Sequence, residues 1–130
     1  MVGRELSGVE RRLLSELLAH DFSGVVALRE QAVAVRARAG CTCGCGTIDL
    51  IVDERVTVLS EAESPVPVSG EVSGIDGTAG GGLILLLEDG RLGALEIYSY
   101  EDEPLPMPEP AQVTWVLAAD ADGAELTADG

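Results

Sequence analysis

Between Leu83 and Tyr100 the chain reads as two apolar runs, Leu83–Leu87 and Leu92–Tyr100, joined through Asp89-Gly90. Asp-Gly between such runs is a strong hairpin signal, because a type I′ turn needs positive φ at both central residues. Glu88 and Arg91 flank the turn with opposite charges. If Asp89-Gly90 is the whole loop, pairing follows by counting: Leu86 faces Gly93, Ile84 faces Leu95 and Gly82 faces Ile97. Leu87 with Leu92, Leu85 with Ala94 and Leu83 with Glu96 then fall on the other side. Both faces come out largely apolar, and each needs a cover.

A cover for one face is legible upstream. Ser7 and Glu10 have the spacing of a capping box, and Val9, Leu13, Leu14, Leu17 and Leu18 follow at helical spacing, giving a helix over about residues 8–19. Asp21 or Ser23 can cap a second helix over 22–38, with Phe22, Val25, Leu28, Ala32 and Val35 as its stripe and Gly40 as its stop. Past Gly40 the period becomes two: Ile48, Leu50 and Val52 alternate with Thr47, Asp49 and Asp53. Another strand is expected near Val66–Val72, starting at an edge because Pro65 and Pro67 cannot donate to a ladder. Asp76-Gly77 marks a further hairpin turn. The second face needs either Pro104–Pro110 with the strand-like Val113–Leu117, or a second molecule. The expected fold is α+β: two N-terminal helices packed on an antiparallel four- to five-stranded meander. It forms one domain over 1–118, followed by a flexible acidic tail over 119–130.

The chain has 130 residues and is 46% apolar, with only Phe22, Tyr98, Tyr100 and Trp115 aromatic, so its core rests on aliphatic side chains. Formal charge is −15, and it is lopsided. Residues 1–40 hold six arginines against five acids; residues 41–130 hold two, Arg55 and Arg91, against eighteen. Such a surface repels phosphate, which argues against nucleic acid and anionic membrane and favours a basic protein or cations. No run approaches the ~20 apolar residues that span a bilayer. Met1–Glu5 lacks a signal-peptide core, so the cytoplasm is the expected compartment, with thiols reduced.

Two clusters could carry function. Cys41, Cys43 and Cys45 lie within five residues, and three thiolates so close can hold zinc or monovalent copper, with Asp49 or His20 as a fourth ligand. Against that, structural zinc sites use two spaced pairs, and small reduced cysteines also pack where a helix enters a sheet. Acting with Cys43, the lone His20 would make the one nucleophile pair available for a hydrolase; without it, His20 is a histidine at a helix C-terminus. Gly80-Gly81-Gly82 precedes a strand in a chain without lysine, so it reads as a bulge or close approach rather than a phosphate loop. The second cluster is an acidic, tyrosine-bearing ridge: Glu96, Tyr98, Tyr100, Glu101, Asp102 and Glu103. Tyrosine gives contact area at low entropic cost and the acids complement Arg or Lys, so the ridge suits a protein partner.

The pieces Ala19–Gly24, Ala27–Gln31, Cys43-Gly44-Cys45 leading into Thr47–Leu50, and Asp89–Leu92 running into Leu95–Tyr100 together resemble a group of short, uncharacterised proteins from GC-rich bacteria. The abundance of Arg, Ala, Gly and Val without Lys has the same flavour. The resemblance spans about residues 7–110 and implies no activity and no cofactor. The hairpin ending is loosely similar to segments of small immunity proteins that neutralise toxins. The resulting expectation is a non-enzymatic acidic binding protein, of inhibitor or immunity type, monomeric or homodimeric. The alternative is a small thiolate protein holding zinc or copper.

Overall fold

Ser7 caps the first helix as its spacing requires: its hydroxyl accepts from the Glu10 amide at 3.1 Å, and Glu10 Oε1 accepts from the Ser7 amide at 2.8 Å. In the computed structural model, which describes residues 3–39, 46–53, 55–73, 79–100 and 105–117, this helix is α1, Gly8–Leu18. It follows a two-residue strand, β1 (Arg4–Glu5). Arg4 binds the same carboxylate through both terminal nitrogens, at 2.8 and 2.9 Å. Arg4, above all, holds Glu10 below the usual carboxylate range, with the Ser7 amide adding to it while burial pulls the other way. A carboxylate lowered on folding contributes stability above its unfolded value of about 4.3 and loses it as pH falls through the folded value. Glu10→Gln is therefore expected to cost about 1 kcal/mol at neutral pH. In thermal melts the gap to the wild type narrows steadily as the solution is acidified.

The second helix, α2 (Val25–Ala32), is much shorter than 22–38. Its N-cap is Gly24 at φ 90, a left-handed conformation open to glycine, and neither Asp21 nor Ser23 caps it. Ser23 instead donates to Glu61, and Asp21 pairs with Arg29. The helix stops at Val33, its right-handed C-cap, because Val35–Arg38 alternates with period two; Val35 and Ala37 are buried while Arg36 and Arg38 point to the opposite face. The result is β2 (Arg36–Ala39), a strand where a helical turn was expected. Val35 satisfied both periods, and its β-branching favours the extended form.

The remaining strands are β3 (Ile48–Ile51), β4 (Val68–Ser73), β5 (Ala79–Glu88), β6 (Arg91–Ser99) and, after a 3₁₀ turn at Pro110–Gln112, β7 (Val113–Leu117). All seven form one antiparallel sheet in the order β1-β2-β3-β6-β5-β4-β7. Only β4-β5-β6 is a meander, so the α+β class holds and the four- to five-stranded meander does not. Both helices lie on one face. Leu13, Leu17 and Leu28 cover Val68, Leu83, Leu85 and Leu95, all 0% exposed. Trp115 Nε1 of β7 donates to Glu16 of α1 at 3.2 Å, and Gln31 of α2 bonds the β5–β6 turn, so each helix is tied to the sheet by a polar contact.

Asp89 and Gly90 have φ 53 and 81, the positive pair that a type I′ turn needs, and Glu88 faces Arg91 across it. Leu87 faces Leu92 as counting requires, but the register then shifts. Leu86 faces Ala94, Leu85 faces Leu95, Ile84 faces Glu96, Leu83 faces Ile97 and Gly82 faces Tyr98, leaving Gly93 as a bulge. The extra residue places Leu92, Leu95 and Ile97 together under the helices and sends Ala94, Glu96 and Tyr98 to the other side. The unshifted register would have put Glu96 beside Leu83 in the core.

The bulge also revises the requirement for a second cover. The far face is mixed rather than apolar, and no described element lies over it. Val113–Leu117 extends the sheet beside β4 instead of crossing it, and Leu105 and Met107 pack against the core. No helix among the described residues is long and apolar enough to cross a membrane.

Candidate functional site

The helix-free face is built from alternate residues of all seven strands: Glu5 of β1, Arg36 and Arg38 of β2, Asp49 of β3, Glu96 and Tyr98 of β6, Ile84 and Leu86 of β5, Ser69 and Glu71 of β4, and Thr114 and Val116 of β7. Period two makes this unavoidable once the partners of Leu83, Leu85 and Val68 are buried. At its centre Tyr98 lies across Gly82, where a side-chain methyl would collide with the phenol ring. A glycine roofed by an aromatic from the neighbouring strand is a recurrent sheet device, and it fixes the ring's position. Tyr100, the next residue in register, meets Tyr98 with ring centroids 5.9 Å apart and planes tilted by 59°.

Tyr98 and Tyr100 are 38% and 55% exposed, so each offers an edge to solvent. Partial burial first, and then Tyr100, Glu71 and Glu96, push the Tyr98 hydroxyl above its ordinary value. The phenol therefore stays protonated at neutral pH, a donor flanked by two carboxylates. Glu71 was not in the ridge read from sequence. Its signal was the alternation Val68, Gly70, Val72 against Ser69, Glu71, Ser73, which becomes informative only once β4 is known to lie beside β5.

Of the ridge residues, the sheet brings Glu96, Tyr98 and Tyr100 to one side; Glu101, Asp102 and Glu103 lie outside the described residues. Cys41, Cys43 and Cys45 also lie outside them. The described residues next to these two groups meet, the Gly46 amide donating to the Leu105 carbonyl at 2.9 Å. Of the two expected fourth ligands, Asp49 is paired with Arg38 at 3.4 Å. The His20 ring sits 6.1 Å from Trp115 on β7, four strand spacings or about 19 Å from β3. His20 Nδ1 lies 3.0 Å from the Glu16 carbonyl, the arrangement of a histidine at a helix C-terminus.

Among the described residues no group of three or more His, Cys, Asp or Glu is arranged to hold a metal ion. The glycine run behaves as a sheet element: the β4–β5 register skips Gly80, and its carbonyl accepts from the Tyr100 amide at 3.1 Å. A shallow cleft of about 340 Å³ between Phe22, Val26 and Leu59 carries Ser60 and Glu61, whose polar atoms bond Gly24 and Ser23. It assembles no acid–base or nucleophile pair. No family model matches this chain, and no match emerges from the curated proteins or the solved structures.

Proposed function

We propose that the chain is a non-enzymatic binding protein whose helix-free face receives a basic segment of a partner protein. The observation that carries this reading is the Tyr98–Tyr100 pair held over Gly82 between Glu71 and Glu96. An arginine or lysine entering there gains a ring face and two carboxylates at once, and Ile84 and Leu86 alongside supply apolar area. Exposed tyrosines are enriched at interface centres, and carboxylates around them suit the polar rim of such a site. The net charge of −15 attracts a basic partner at long range.

The test is a titration of the isotope-labelled chain with an arginine-rich peptide, followed by amide chemical shifts. Perturbations are expected to concentrate on Glu71, Ile84, Glu96, Tyr98 and Tyr100. The combined Glu71→Lys and Glu96→Lys variant should bind about tenfold more weakly, a loss near 1.4 kcal/mol. Shifts spread evenly over exposed acids such as Glu5, Glu63 and Glu88, or an unchanged affinity in the variant, would remove the reading.

A further inference from the structure

The two edges of the sheet are finished differently. At one, β1 is two residues long, Arg4 and Glu5, and Arg4 is engaged by Glu10; a short charged strand is how sheets block edge pairing. At the other, β7 reads Val113-Thr114-Trp115-Val116-Leu117, with no charge, no proline and no bulge, and every residue in register with β4. Its residue types favour strands, and among the described residues nothing pairs with its outer side. The residues after it, 119–130, are mostly Ala, Asp and Gly, poor material for a covering strand.

We propose that β7 is a self-association edge, on which β7 of a second copy pairs antiparallel about a two-fold axis at Trp115. In that register Trp115 faces its own counterpart, Val113 faces Leu117 and Thr114 faces Val116. Residues that lie on the helix side meet residues on the helix side, because directly opposed residues share a face. The register is bounded, since the turn at Pro110–Gln112 is pinned by Gln112 Nε2 donating to the Ser73 carbonyl at 3.0 Å. On the helix side the described acid bonded to the axial Trp115 is Glu16, and Arg12 pairs with it at 3.1 Å. The nearest described acid on the open face is Glu71, and the two copies of it lie three strand spacings apart, about 14 Å, beyond the Debye length of about 8 Å at physiological salt. A partner of a different sequence would need no such self-matching pattern. A five-residue edge buries less than a permanent dimer requires, so the expected association is a micromolar equilibrium.

Thr114 and Val116 are exposed on the helix-free face, so both can be exchanged without disturbing the core. Sedimentation velocity of the full chain, from low micromolar to near-millimolar loading, should show a concentration-dependent dimer. Thr114→Lys with Val116→Lys sets lysine opposite lysine twice and should weaken it about thirtyfold. Thr114→Lys with Val116→Glu sets opposite charges together and should restore it, an outcome that general misfolding would not give. A wild type that stays monomeric at every loading overturns the proposal, and so does equal behaviour of the two double variants in either direction.

Discussion

Gln31→Leu is expected to lower stability by about 3 kcal/mol, enough to drop the melting midpoint by about 10 °C in a chain of this size. Gln31 is 1% exposed, yet every polar atom of its side chain is used. Nε2 donates to the carbonyls of Val58 and Gly90 at 2.8 and 2.9 Å, and Oε1 accepts from the Leu92 amide at 2.9 Å. One side chain thus joins α2, the β5–β6 turn and the long connection between β3 and β4. Leucine has similar volume but strands the buried Leu92 amide and removes a donor from the Val58 and Gly90 carbonyls, of which Gly90 keeps the Ser60 amide at 2.8 Å; a buried orphan costs about 1–3 kcal/mol. Gln31→Glu separates hydrogen bonding from packing. Its carboxylate keeps the Leu92 amide but sets an oxygen against two carbonyls, so burial and repulsion raise the folded pKa. A raised carboxylate contributes most below its unfolded value near 4.3 and loses that contribution as pH rises. The glutamate variant should therefore approach the wild type in acid and fall away toward neutrality. Denaturant melts at several pH values measure both effects, and equal stability of all three proteins would show that the triple contact carries no weight.

Deleting Glu96 should abolish the native fold, while deleting Gly93 should leave it intact. The difference lies in counting. Gly93 is the residue that the ladder skips, so without it Ala94 follows Leu92 opposite Leu86 and Leu87, and Leu95, Glu96 and Ile97 keep their faces. Without Glu96 the ladder can hold Leu95 under the helices only by turning Ile97 out, or hold Ile97 only by pairing Gly93 and turning Leu95 out. Leu95 and Ile97 are now 0% and 3% exposed. Exposing either costs about 2 kcal/mol, and the hole left in the core adds to a total of about 2–5 kcal/mol. That rivals the lower end of the stability of a domain this small, about 5–15 kcal/mol. Amide dispersion in a two-dimensional spectrum distinguishes the folded Gly93 deletion from the collapsed Glu96 deletion. Equal spectra for the two deletions would mean that the register is held by something other than this count.

Strong local chemistry was readable from sequence. The Ser7–Glu10 box, the Asp89-Gly90 turn and the first apolar stripe each rest on interactions within a few residues. The end of α2 was not, because Val35 fits a helical stripe and a period-two strand equally well, and only β3 beside it decides. Nor was the bulge: Gly93 is silent until Leu92 and Leu95 both claim the same side of the sheet. The ridge was half legible for the same reason. Glu96, Tyr98 and Tyr100 share a strand and announce their common face, whereas Glu71 arrives from β4 through pairing that the sequence does not spell out.

Glu16 takes Trp115 on one carboxylate oxygen and Arg12 on the other, latching α1 to β7 across a separation of 99 residues. Synthesis must therefore pass position 115 before that latch can close, and a chain stopped short of position 113 would leave the flank of β4 bare. Trp115 is also the sole tryptophan. Its intrinsic fluorescence is a built-in signal for the closing of that latch.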